Sequence, residues 1–166
     1  MAKVQLDLGR KALVEAVVAK YPAYFEEVDP ERIVYLSSAA KMAKKPVSLS
    51  PVKSPYHLIV RHKFIITFYE KKLEDLDTAK INLYLLRELM RISDFEDGTL
   101  MTFPVQDFPE ILAKFGVDWE DRDDIPDVLT MEEDEEDKKE EAQPTQEEAV
   151  PPPEVATEVA TEAEEA

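Results

Sequence analysis

The sequence predicts an α+β fold: a small sheet of about three strands packed on one long helix with flanking helices, then a disordered acidic tail. Three observations carry this. Leu73 to Ile92 repeats apolar residues at helical spacing. Short runs rich in β-branched and aromatic residues precede it. From Met131 onward aromatic residues are absent and large aliphatic ones nearly so. The expected division is a domain over 1–130 and a tail over 131–166.

In chain order, residues 8–25 read as a first helix, with Leu13, Ala16, Val17 and Tyr21 on one face. Pro22 ends or bends it, because proline lacks the amide hydrogen a helix interior needs. Arg32-Ile33-Val34-Tyr35-Leu36 reads as a strand after Asp29-Pro30. Ala39 to Pro55 contains Pro46, Pro51 and Pro55 and predicts a long irregular connection. Tyr56 to Val60 reads as a second strand and Phe64 to Tyr69 as a third, or the two as one bent strand.

The long helix follows. Leu76, Ala79, Leu83, Leu86 and Met90 form one apolar row, and Ile81, Leu85, Leu89 and Ile92 a second. Such a stripe is wide enough to be buried on two sides. Asp77 or Thr78 could cap its start. Lys80, Tyr84, Arg87 and Arg91 recur at three- and four-residue steps and share the polar face, with Glu88 beside them. Asp94 to Pro104 predicts a loop. Phe108 to Phe115 predicts a short helix, with Pro109 in its first turn and Gly116 as its stop. The apolar residues of 122–129 are expected to lie back across the core.

Composition narrows the function classes. Acidic residues number 37 against 20 lysines and arginines, a net charge of −17. Residues 131–166 hold 15 acids and two lysines, a net of −13, which leaves −4 for the rest. A tail of Glu, Ala, Pro and Thr cannot bury enough apolar surface to offset its ordering entropy. There is no cysteine, which excludes disulfides, thiolate metal sites and cysteine nucleophiles. No apolar run approaches the roughly 18 residues that span a bilayer, so no membrane partner is expected. The N-terminal MAKVQLDLGRKALVEAVVAK lacks a signal-peptide apolar core, and the expected location is the cytoplasm.

Arg87-Glu88-Leu89-Met90-Arg91 has the frame of the helical His-Glu-x-x-His zinc motif with both histidines replaced. Arginine stays protonated and has no lone pair for a metal. The flanking pieces complete a pattern. Tyr56 to Tyr69 leads into Leu85-Leu86-Arg87-Glu88-Leu89-Met90-Arg91-Ile92. Gly98-Thr99-Leu100-Met101-Thr102-Phe103 and then Phe115-Gly116-Val117-Asp118-Trp119 follow. In this order the pieces resemble the metallopeptidase-like proteins of phages and prophages, a family of minimal zincin-like domains. The resemblance spans residues 30–130.

It implies a zincin-like fold with Glu88 at the general-base position. It also implies that the metal-ligand positions fall on Arg87, Arg91 and Phe103. Zinc, the cofactor of the family, is not expected here: no metal and no cofactor. The reading that follows is a degenerate, non-catalytic member of phage or prophage origin that acts by binding a protein partner. An active hydrolase using a different metal site is the alternative. The histidines His57 and His62, five residues apart on a predicted strand, point to opposite faces and read as structural. A second alternative is nucleic-acid association. Arg32 to Tyr69 holds no acidic residue and carries Arg32 together with Lys41, Lys44, Lys45, Lys53, Arg61 and Lys63 as a possible binding patch. For Arg87 and Arg91 the plain expectation is ion pairing, Arg91 with Glu88 and Asp94.

Overall fold

In the computed structural model, residues 3–53, 55–56, 59–103 and 107–131 are described. The elements in order are β1 (Val4–Leu6), α1 (Lys11–Lys20), β2 (Ile33–Ser38), β3 (Val47–Pro51), β4 (Phe64–Tyr69), α2 (Glu70–Leu73), α3 (Thr78–Leu89), β5 (Ile92–Asp94), β6 (Thr99–Leu100) and α4 (Pro109–Phe115). The fold is mixed α+β. β1, β2, β4 and β3 lie side by side in that order. β2 and β4 are parallel, and each edge strand runs antiparallel to its neighbour.

Alternation sorts the sheet into two faces. Ile33 and Tyr35 of β2, Val47 and Leu49 of β3, and Phe64, Ile66 and Phe68 of β4 are buried on one face. Val14 and Val17 of α1 and Leu83, Leu85 and Leu89 of α3 belong to the same core. Ile125 and Val128 return to that core, as expected for 122–129, and Trp119 joins them. Tyr21 donates its hydroxyl hydrogen to the Val128 carbonyl (2.9 Å), which ties the returning segment to the end of α1.

Several boundaries differ from the sequence expectation. The predicted 73–92 helix is two helices. Asp77 is extended (φ −74°, ψ 167°) and its carboxylate accepts from the Lys80 amide at 2.7 Å, so α3 starts afresh at Thr78. The predicted 8–25 helix begins with a 3₁₀ turn at Leu8–Arg10 and ends at Lys20. Turns closed by Tyr24 and Phe25 amides follow it.

The predicted strand at 56–60 is a turn among its described residues, because the amides of Ile59 and Val60 both bond the Tyr56 carbonyl. The antiparallel partner of β4 is instead β3, inside the stretch expected to be irregular. Pro51 fits there because it lies at the sheet edge, where no ladder amide is lost. β1 is a fourth strand, held by Asp7 and Ala39 amides to Tyr35 and Lys3 carbonyls. A β5–β6 hairpin, turned at Gly98 with φ 68°, takes Ile92 from the end of the predicted helix and runs into the expected 94–104 loop. α4 runs from Pro109 to Phe115, and Gly116 with φ 84° ends it.

The residues up to Met131 form one unit. Of the expected 131–166 tail, Met131 packs against the core and 132–166 lie outside the described residues. Among the described residues no helix is long and apolar enough to cross a membrane.

Candidate functional site: a charge cluster at the end of α3

α3 brings Arg87 and Glu88 to its last turn, and Arg91 follows Met90, the residue that caps its C-terminal end. The neighbouring Leu85, Leu86 and Leu89 are driven inward, which carries Glu88 into the interior with them. The Glu88 side chain is 3% exposed. A buried carboxylate costs several kcal/mol unless it is paired and hydrogen-bonded. Glu88 has three donors from three segments: Lys45 Nζ at 3.0 Å, Arg91 Nη1 at 2.9 Å and the Leu49 amide at 3.3 Å.

The Leu49 bond has a topological cause. Pro46 and Val52 bond to β4, so the alternate residues Val47, Leu49 and Pro51 turn their backbone groups to the open edge. Glu88 therefore caps an edge amide that a neighbouring strand would otherwise take.

Phe103 lies at the centre of the cations. Lys45 Nζ is 3.8 Å from the ring centroid, and the guanidinium carbons of Arg87 and Arg91 are 4.6 and 4.7 Å from it. Each gains from the negative face of the ring. Their mutual repulsion is offset by carboxylates. Arg87 Nε lies 2.8 Å from Asp107 Oδ2, and its Nη1 donates to Glu120 at 2.8 Å. Asp107, 2% exposed in its side chain, also accepts from the Phe108 amide (2.8 Å) and Trp119 Nε1 (3.2 Å). Three cations, Lys45, Arg87 and Arg91, thus face three anions, Glu88, Asp107 and Glu120. Tyr84 sits one turn earlier with its ring 4.8 Å from that of Trp119. Burial pushes its hydroxyl pKa up to about 12, and the Glu120 charge adds to this.

Arg87, Glu88, Arg91 and Phe103, the four site positions drawn from the resemblance, are therefore brought together. Arg91 pairs with Glu88 as the sequence suggests, but not with Asp94. Asp94 turns onto the Asp97 amide (2.8 Å), and Arg91 Nε donates to the Met101 carbonyl (3.3 Å).

The donor set does not fit zinc. Guanidinium, ammonium and phenyl groups have no lone pair for it, and both Glu88 oxygens are engaged. Among the described residues no three His, Asp or Glu side chains converge.

The basic stretch is not gathered into one free patch. Lys45 is committed to Glu88. Arg32 pairs with both Glu96 oxygens, the second at 2.9 Å, and Lys63 donates to the Glu96 carbonyl. The Arg32 hydrogen bond holds the Glu96 carboxyl below the usual range. Lys41, Lys44, Lys53 and Arg61 are exposed and form no salt bridge among the described residues. His62 lines a groove on the outer sheet face, away from α3. His57 lies outside the described residues.

Sequence reasoning missed Lys45 as a partner of Glu88, and Asp107 and Glu120 as partners of Arg87. No spacing rule joins residues so far apart in the chain. Comparison with family models, with curated proteins and with solved structures finds no match.

Proposed function

We propose that this chain is a non-catalytic, zincin-like binding protein related to the metallopeptidase-like proteins of phages and prophages. It works in the cytoplasm by engaging a protein partner. One observation carries this reading: the general-base position, Glu88, is locked by Lys45, Arg91 and the Leu49 amide. A general base must be free to take a proton from water at hydrogen-bond distance. Here the lone pairs that would do so hold the edge strand and two cations. The carboxylate acts as a clasp joining α3, β3 and the segment before β3.

The consumption of Lys45, Arg32 and Lys63 in ion pairs also weighs against nucleic-acid association. Phosphate binding draws on cations that release counterions, and these three are already neutralised in part.

The test is metal analysis of purified chain after zinc exposure and desalting. The wild type is expected to hold no stoichiometric zinc. The triple substitution Arg87→His, Arg91→His, Phe103→His should gain it, with His–Zn distances of about 2.0–2.1 Å. Stoichiometric zinc in the wild type, lost in Glu88→Gln, would overturn the reading and restore the hydrolase alternative.

A further inference from the structure

Helices α1 and α3 share the core with one face of the sheet. On the other, Val34 of β2 and Ile65 of β4 stand side by side in register. With Tyr56, Val60, Lys53 and His62 they line a groove of about 480 Å³. This volume is within the range of ligand and side-chain pockets, about 300–1,000 Å³. Its apolar wall is accessible: Tyr56 is 62% exposed and Val60 38%. Ile59, beside it in the chain, is 77% exposed. Exposed apolar surface gathered at one place marks an interaction site more often than scattered apolar residues do.

Charge says what the groove takes. The chain from Arg32 to Tyr69 has seven basic and no acidic residues. Among the described residues no carboxylate lines the groove. Lys53, in the wall, has no ion pair among the described residues, unlike Arg32, Lys45 and Lys63. Arg61 lies beside it in sequence between Val60 and His62 and is also exposed. An anionic occupant would meet Lys53, and with it Arg61, whose charge also acts on the Glu31 carboxylate. A cationic one would meet only repulsion.

Backbone geometry weakens the simplest strand-adding mode. Of the three edge-facing residues of β3, Leu49 gives its amide to Glu88 and Pro51 has none, which leaves Val47 alone to donate. A partner strand needs those donors. Recognition at this end of the sheet therefore rests on side chains in the groove.

We infer that the groove on the outer sheet face binds an extended partner segment that alternates acidic and large apolar residues. Apolar side chains enter between Val34, Ile65 and Val60, and carboxylates meet Lys53 and Arg61. This rests on the partner-binding reading above and names the class of partner.

The test uses the full chain and a fluorescein-labelled peptide alternating Glu and Leu, with binding read by fluorescence anisotropy. An all-Glu peptide of equal length is the control. Lys53→Glu and Val60→Asp should each weaken binding of the alternating peptide by about tenfold or more, because each sets like charges face to face. Lys41→Glu, an exposed lysine outside the groove lining, should leave it unchanged. The all-Glu peptide should bind at least about tenfold more weakly, since it lacks the apolar contribution. Circular dichroism confirms that each variant is folded.

Equal binding of the all-Glu peptide overturns the inference, as does insensitivity to both groove substitutions. So does self-association in sedimentation that Val60→Asp abolishes, which would make a second copy the occupant. Single-stranded DNA that competes with the peptide and responds to Lys53→Glu alone would reduce the groove to a polyanion site. None of these substitutions touches the Phe103 cluster. Failure here thus leaves the zinc analysis standing, and failure of the zinc analysis leaves the groove measurement readable.

Discussion

Replacing Arg87 by leucine separates a charge cluster that holds the domain together from one that merely decorates it. In the native chain Arg87 Nε lies 2.8 Å from Asp107, whose side chain is 2% exposed. Its second partner, Glu120, is half exposed and can return to water at little cost. Asp107 cannot. After the substitution it keeps only the Phe108 amide at 2.8 Å and Trp119 Nε1 at 3.2 Å. Breaking a buried pair from one side costs about 3–5 kcal/mol, and two remaining donors place this case near the lower end, about 3. For a domain of this size that is a fall in Tm of roughly 10 °C.

Asp107→Asn removes the charge but keeps one acceptor oxygen, so one of the two donors, which bond different oxygens of Asp107, loses its partner. It should cost less, about 1–2 kcal/mol. In the double variant the leucine packs on Phe103 and Trp119 with no stranded carboxylate, so the pair should be coupled by about 1.5–2 kcal/mol. The assay is urea unfolding by circular dichroism, with the fluorescence of Trp119, the only tryptophan, as a second probe. Additivity of the two single substitutions to within about 0.5 kcal/mol would refute the coupling. A cost below about 1 kcal/mol for Arg87→Leu would refute the burial argument.

Two further outcomes concern the ends of the same region. Gly116→Ala should destabilise by about 1–3 kcal/mol, because a residue at φ 84°, ψ 168° is in a region open essentially to glycine alone. The new methyl would also lie 3.1 Å from Asp118 Oδ1. Unchanged urea midpoints would show that the turn re-forms without strain. Tyr84, with its folded pKa raised to about 12 by burial, governs an alkaline limb. The folded state holds the phenolic proton more tightly than the unfolded state. The Tyr84 contribution is therefore fully present below pH of about 10 and is lost as pH rises through about 12. Tyr84→Phe should flatten the fall in stability across that window. Parallel pH profiles for wild type and variant would place the loss elsewhere.

The zinc-motif frame was legible because it is short. Arg87, Glu88 and Arg91 share one helix turn, and the Arg91–Glu88 pair follows from helix geometry alone. Phe103 was placed by the order of pieces after the helix rather than by any contact rule. What these residues meet was not legible. Lys45 is 43 residues from Glu88, Asp107 is 20 from Arg87, and Glu120 is 33 from it. Such partners are chosen by the path of the backbone. Asp94, the nearest carboxylate after Arg91, was the natural guess and is occupied by its own turn.

The same division runs through the fold. By itself the sequence determined the inward rows of α3, the strands β2 and β4, and both ends of α4. It also determined the return of Ile125 and Val128 to the core. Each depends on residues within a few positions of one another, through helical or alternating period, a proline at a helix start, or a glycine at its end. The tertiary structure decided that Val47–Pro51, and not Tyr56–Val60, pairs with β4, and that Val4–Leu6 adds a fourth strand. Those choices turn on which segment satisfies the free ladder groups of β2 and β4. That is a property of two chains of residues meeting in space, and local composition carries no record of it.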